Sequence, residues 1–144
     1  MKRITLLAAI FAANVAAWAQ TLNVSVGDVT YMFPAAQAGE MLFSDGTTLT
    51  IMGKSFTLAD VTAMTVTADE VADNTVSVTY DGTSAKIRVA GNVAQYVEPE
   101  TTGAHVYVKQ TNTDDVDGDE ITYSLSGTSA DGNFFLFGNY KATV

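Results

Sequence analysis

Residues 104–144 read AHVYVKQTNTDDVDGDEITYSLSGTSADGNFFLFGNYKATV, and this segment carries the strongest fold signal in the 144-residue chain. Apolar and polar side chains alternate over residues 104–109 and again over residues 121–125. A period of two is typical of β-strands that bury one face. The sequence therefore predicts a hairpin with an acidic tip, followed by a second hairpin at Asp131-Gly132.

The same alternation extends through most of the chain, and no window has a sustained helical period. Asp-Gly pairs at residues 45–46 and 81–82 predict further tight turns. An acidic, polar stretch at residues 69–74 is the best candidate for a boundary between two parts. We therefore expect an all-β fold with a small β unit over residues 20–68 and a second β-rich unit over residues 75–144.

Residues 1–19 have the features of a secretory signal peptide. Lys2 and Arg3 precede a short, alanine-rich apolar run that ends in Ala17-Trp18-Ala19. A basic start, a short apolar core and a small-x-small ending predict cleavage after Ala19 and export to the cell envelope or beyond. The alternative is an N-terminal membrane anchor, which the shortness of the apolar run disfavours.

The chain is strongly acidic and contains no cysteine. Its formal charge is −9, and without Lys2 and Arg3 five basic side chains face sixteen acidic ones, a charge of −11. Such a surface repels phosphate backbones, so nucleic acid is not an expected partner. The absence of cysteine excludes disulfides and thiolate metal sites, whereas the negative charge can attract divalent cations.

Five acidic residues fall within residues 114–120, and three of them alternate in the way that calcium ligands do. Asp115, Asp117 and Asp119 would offer hard oxygen ligands from a tight turn. An EF-hand is excluded, because its sixth position is Glu120 rather than glycine and its twelfth is Ser126 rather than glutamate. A looser calcium site and a solvated hairpin end both stay open.

Aromatic residues near this tip are the candidates for ligand contact. Tyr107 and Tyr123 lie on either side of it and would contact a glycan if they shared a sheet face, with His105 beside Tyr107. Packing within the fold is the alternative for both tyrosines. The phenylalanines of residues 134–137 are expected in the core, with one of them facing outward by alternation. A single histidine in a strand gives no basis for a catalytic triad, so no enzymatic activity is expected.

Four stretches of the second half resemble a known family. They are Tyr80-Asp81-Gly82-Thr83-Ser84-Ala85-Lys86-Ile87-Arg88-Val89, Gly103-Ala104-His105-Val106-Tyr107-Val108, Tyr123-Ser124-Leu125-Ser126-Gly127-Thr128-Ser129-Ala130-Asp131-Gly132 and Tyr140-Lys141-Ala142-Thr143-Val144. In this order they resemble the N-terminal part of bacterial secreted, non-catalytic carbohydrate-binding proteins built on a pectate-lyase-like parallel β-helix. The resemblance implies a right-handed solenoid, plant-type polysaccharide ligands such as pectin or cellulose, and bound calcium. It assigns no ligand residue to a position of this chain.

The expected fold is thus all-β, with the first strands of a β-helix after the small N-terminal unit; a β-sandwich-like arrangement is the alternative. A strand that is cut off in mid-pattern at residues 140–144 predicts a fragment of a longer protein, and a genuine final strand is the alternative. The expected function is non-catalytic polysaccharide binding by an exported bacterial protein. The alternative function is a structural or adhesive surface module that binds other proteins.

Overall fold

The computed structural model describes residues 20–39, 41–113 and 120–144. These residues form thirteen strands and one short 3₁₀ turn at Ala94–Tyr96. The strands are β1 (Thr21–Val26), β2 (Val29–Pro34), β3 (Leu42–Ser44), β4 (Thr48–Ile51), β5 (Lys54–Thr57), β6 (Ala63–Thr67), β7 (Thr75–Asp81), β8 (Ser84–Ala90), β9 (Val97–Thr102), β10 (His105–Gln110), β11 (Ile121–Thr128), β12 (Asn133–Phe137) and β13 (Ala142–Thr143). The predicted all-β class is confirmed.

Within this described part, no helix is long and apolar enough to cross a membrane. The predicted signal peptide, residues 1–19, and most of the acidic tip, residues 114–119, lie outside the described residues.

A seven-stranded sheet forms the larger layer, in the order β13-β11-β7-β8-β2-β1-β6. Strands β2 and β8 pair in parallel, with Val29 opposite Ile87 and Tyr31 opposite Val89. This pairing joins strands from residues 20–68 to strands from residues 75–144 in one sheet. The two ranges therefore share a hydrophobic core.

Two three-stranded sheets, β12-β10-β9 and β3-β4-β5, supply the remaining strands. Their apolar faces pack on the apolar face of the large sheet, because each sheet has one face to bury. Phe56 of β5 contacts Tyr31 and Phe33 of β2 edge-on, with ring centroids 5.1 and 6.0 Å apart. Val106 and Val108 of β10 belong to the same buried cluster. This layered arrangement is compatible with the β-sandwich-like alternative.

The two hairpins predicted for the C-terminal segment do not form. Strands β10 and β11 lie in different sheets, and so do β11 and β12. The alternation correctly predicts that β10 and the first half of β11 each bury one face. The two strands lie in opposite layers, however, and their buried faces point toward the same core. Val106 and Val108 are buried on one side, and Ile121 and Tyr123 on the other. Consecutive strands therefore alternate between layers, from β10 to β11 and from β11 to β12, instead of pairing within one sheet.

As a result of these crossings, strands of the second half pair in parallel. His105 of β10 lies opposite Asn133 of β12, and Ile121 of β11 lies opposite Ala142 of β13. Strand β11 is also parallel to β7. The chain thus returns twice to a sheet that it has just left, each time one strand further along.

Candidate functional site

The outward face of the β12-β10-β9 sheet brings aromatic and charged side chains together. We call it the aromatic face and define it by Tyr107, Lys109, Phe135, Phe137 and the glutamates of β9, Glu98 and Glu100. Register places Tyr107 beside Phe135 and Lys109 beside Phe137. On the other side, the same two β10 residues lie opposite Glu100 and Glu98.

The aromatic side chains of this face are exposed. Tyr107, Phe135 and Phe137 are 47%, 57% and 64% accessible to solvent, while their neighbours Phe134 and Leu136 pack against the core. The expectation that one phenylalanine of this run faces outward is therefore wrong, because residues 135 and 137 have the same parity and both point away from the core. The Tyr107 and Phe135 rings are 6.1 Å apart and inclined by 45°.

Polar groups border these rings. Lys109 Nζ and Glu98 Oε2 form an ion pair at 3.1 Å, and both side chains are more than half exposed. A surface pair of this kind adds little to stability, and its groups can exchange protein contacts for ligand contacts at small cost. The face therefore offers a flat apolar patch with hydrogen-bonding groups along one side.

His105 lies on the same face, two residues before Tyr107 and opposite Thr102 and Asn133. Its side chain is only half-buried, yet its Nδ1 atom is inaccessible and has no hydrogen-bond partner among the described residues. The structure thus brings His105 and Tyr107 together on one face, and their role as ligand contacts stays a prediction.

Tyr123 does not join them. It is 1% exposed on β11, in the other layer, and its hydroxyl donates to Gln110 Oε1 at 2.8 Å. Burial raises the pKa of Tyr123 far above its usual range. The prediction that Tyr107 and Tyr123 share a ligand-binding face is wrong, because β10 and β11 are not neighbours in one sheet.

Tyr123 instead begins a buried polar chain that sequence reasoning missed. Gln110 Nε2 donates to Asn112 Oδ1 at 2.7 Å and lies 3.3 Å from the carbonyl oxygen of Lys141. Gln110 and Asn112 are both buried. The sequence does contain a signal for a buried Gln110, because this residue continues the alternation of Val106 and Val108 and so lies on the same, inward face of β10.

The predicted calcium ligands Asp115, Asp117 and Asp119 fall in residues 114–119, outside the described residues. Over residues 20–39, 41–113 and 120–144, no group of three or more histidine, cysteine, aspartate or glutamate side chains is placed to hold a metal ion. The calcium hypothesis therefore stays a prediction from the sequence.

A second surface feature lies on the outward face of the large sheet, and sequence reasoning did not identify it. It is a groove of about 420 Å³. Its floor carries four hydroxyl side chains from two parallel strands, and we call it the hydroxyl groove: Thr75 and Ser77 on β7, Thr122 and Ser124 on β11. The repeated pattern of threonine, apolar residue, serine at residues 75–77 and 122–124 was the available signal.

Residues 69–72, Arg88 and two apolar residues, Met32 and Ala90, complete the lining of this groove. Asp69 is fixed there by three contacts: its Oδ2 accepts from Thr67 Oγ1 at 3.1 Å and lies 3.6 Å from Arg88 Nη2, and its carbonyl oxygen accepts from Thr21 Oγ1. At the other end of this segment, Asn92 Oδ1 accepts a hydrogen bond from the backbone N–H of Asn74 at 3.0 Å. The wall is therefore held at both ends.

Comparison of the chain with protein-family models, curated proteins and solved structures gave no match.

Proposed function

We propose that this chain binds polysaccharide without catalysis, through the aromatic face. The observation that carries the proposal is the placement of three exposed aromatic rings, Tyr107, Phe135 and Phe137, on one sheet face. Exposed apolar groups that cluster in this way commonly mark a binding surface.

The chemistry of the face suits a sugar polymer. Aromatic rings present flat apolar surface to the C–H groups of a pyranose ring, and they lose few rotamers when they bind. The Lys109 ammonium donates hydrogen bonds, and the carboxylates of Glu98 and Glu100 accept them, as sugar hydroxyls require. A sheet face is shallow, so it favours an extended chain over a small molecule held in a deep pocket.

The proposal includes an exported protein, a plant-type glycan and assistance from calcium at Asp115, Asp117 and Asp119. It also includes the start of a parallel β-helix. The parallel β10–β12 and β11–β13 pairings support that start, because a solenoid stacks successive strands on their predecessors.

Affinity electrophoresis in gels that contain pectin, xylan or a soluble cellulose derivative tests the proposal. We expect at least one polymer to retard the chain, and the variant Y107A/F135A to lose most of that retardation. The matched control is Phe43→Ala, because Phe43 is also exposed but lies on β3, in another sheet. Equal retardation of the chain and of Y107A/F135A contradicts the aromatic face as the binding surface.

The alternative, a surface module that binds other proteins, is favoured by one observation. Strand β12 is an edge of its sheet and contains only asparagine, phenylalanine and leucine, without the charges that usually blunt an edge. Such an edge can pair with a strand of another protein. Capture of an envelope protein that is lost on Phe137→Lys, together with unchanged migration on every polysaccharide, favours this alternative.

A further inference from the structure

The hydroxyl groove has a regular floor. Thr122 lies opposite Thr75, and Ser124 lies opposite Ser77, in the parallel β11–β7 register. Neighbouring strands are about 4.8 Å apart, and alternate residues along a strand are about 6.7 Å apart. The four side chains therefore form a small rectangular grid of hydroxyl groups.

These hydroxyls are available to a ligand. Those of Ser77, Thr122 and Ser124 have no hydrogen-bond partner in the described part of the chain, and only Thr75 is engaged, since its hydroxyl donates to the Ala72 carbonyl at 2.7 Å. A hydroxyl group both donates and accepts, as the hydroxyls of a saccharide do. The floor therefore matches a polyhydroxylated ligand.

The wall adds a paired donor and acceptor. Arg88 is beside Ser77 in the β7–β8 register, and its guanidinium faces the Asp69 carboxylate at 3.6 Å. Arg88 Nε is directed to Met32 Sδ at 3.2 Å, which orients the planar group. A guanidinium and a carboxylate held side by side can contact adjacent hydroxyls of one sugar ring.

Charge then restricts the ligand. The lining contains one cation, Arg88, and two anions, Asp69 and Glu70. Glu70 has no partner among the described residues that would neutralise it. Because the whole chain also carries a formal charge of −9, an anionic ligand would meet repulsion from the site and from the surface around it.

We infer that the hydroxyl groove binds a short, uncharged saccharide and discriminates against acidic ones. Its volume lies near the lower end of small-ligand sites, roughly 300–1,000 Å³. The inference rests on the proposed glycan binding for its class of ligand, but it uses a different surface, on the opposite layer from the aromatic face.

Calorimetric titration with neutral cello- and xylo-oligosaccharides, and with an oligogalacturonate of equal length, tests the inference. We expect the neutral oligosaccharides to bind and T122V/S124V to weaken that binding about tenfold, because it removes two hydrogen-bonding hydroxyls. Valine keeps the β-branched shape that strands favour, so the strand itself should persist. The matched control is Thr128→Val, which makes the same kind of substitution on β11 but outside the groove.

The role of charge is tested separately. Glu70→Gln removes one carboxylate from the lining and should raise affinity for the oligogalacturonate relative to the neutral oligosaccharide of equal length. Amide chemical shifts of the unmodified chain supply a second readout, which does not depend on the stability of any variant. Ligand-induced changes should centre on residues 75–77 and 122–124.

Two results overturn the inference: equal binding of neutral ligands to the unmodified chain and T122V/S124V, or tighter binding of the oligogalacturonate than of its neutral counterpart. Either result leaves the aromatic face untouched, because Y107A/F135A reports on polymer retention separately. Conversely, if neutral oligosaccharides bind in the groove while no polymer retards the chain, the proposed function fails and the groove site stands.

Discussion

At Gly127 the backbone has a φ of +81°, and an added Cβ would lie 2.0 Å from the carbonyl oxygen of Tyr80. That oxygen belongs to β7, which cannot withdraw without breaking its ladder with β11. We expect Gly127→Ala to lower the free energy of unfolding by about 3 kcal/mol or more.

Gly82→Ala is the control for this substitution. Gly82 also has a positive φ, +63°, but no atom lies within 4 Å of its added Cβ. Its replacement should cost only about 1 kcal/mol of backbone strain. Urea denaturation of both variants measures the difference, and similar losses would contradict the close approach of β7 and β11 at Gly127.

The buried Tyr123 hydroxyl gives a second prediction for single residues. Tyr123→Phe leaves the buried Gln110 Oε1 without its donor, which should cost about 1–3 kcal/mol. Tyr80→Phe is the matched control, because the Tyr80 hydroxyl donates to the Asn133 carbonyl at an exposed position where water can replace it. Denaturant midpoints should fall clearly for Tyr123→Phe and barely for Tyr80→Phe; the reverse order would be evidence against the buried polar chain.

The buried phenol of Tyr31 should make the stability of the fold decrease at alkaline pH. Burial, with a smaller contribution from the Glu98 carboxylate, raises the pKa of Tyr31 from 10.0 to about 12. As the pH rises, the unfolded state loses the phenol proton near pH 10, whereas the folded state keeps it until about pH 12. The contribution of Tyr31 to the free energy of unfolding is therefore fully present below pH 10 and is lost between about pH 10 and 12.

Tyr31→Phe isolates this effect, because it keeps the ring and removes the titrating group. Urea midpoints measured from pH 9 to 12 should fall less steeply for Tyr31→Phe than for the unmodified chain. Parallel curves for the two proteins would mean that Tyr31 titrates alike in the folded and unfolded states.

At the scale of strands, alternation in the sequence predicted which residues face inward but not which strands are neighbours. Val106 and Val108 are buried on β10 as expected, and Ile121 is buried on β11. Periodicity reports burial of one face, and a strand buries the same face whether its partner lies beside it or in the opposite layer. For that reason the hairpins were predicted wrongly while the strands themselves were found.

Because alternation does not show which strands are neighbours, only part of the candidate site could be predicted from the sequence. His105 and Tyr107 could be assigned to one face because both lie on one strand. Phe135 joins them only through the parallel pairing of β10 and β12, which no local turn signal specifies. Tyr123 was wrongly assigned to this face because β10 and β11 follow each other in the chain, and consecutive strands need not pair in one sheet.

The acidic segment gives a prediction at this scale. If Asp115, Asp117 and Asp119 bind calcium, saturating Ca²⁺ should raise the melting temperature, since a ligand at 100 times its Kd adds about 2.7 kcal/mol to stability. The triple replacement by asparagine should abolish that rise. A triple replacement of Asp45, Asp60 and Asp73 changes the net charge equally and should retain it; a rise that survives the first replacement places the calcium site elsewhere.

For the whole molecule, the two layers present different chemistry on their outer surfaces. The smaller layer exposes aromatic rings beside an ion pair, and the larger layer exposes a hydroxyl-lined groove with a net negative lining. A single core supports both, because strands from the two halves of the chain share the seven-stranded sheet. The two proposed ligands, an extended polymer and a short saccharide, thus belong to opposite sides of the molecule.

An amide and aromatic chemical-shift titration of the chain with the soluble polysaccharide that best retards it reports directly on the aromatic face. We expect the largest shifts to fall on Tyr107, Phe135 and Phe137, whereas the resonances of Phe43, which is also exposed but lies on β3, should not move. Shifts confined to residues outside the aromatic face, or no shifts at saturating polymer, would contradict the proposed role of this face.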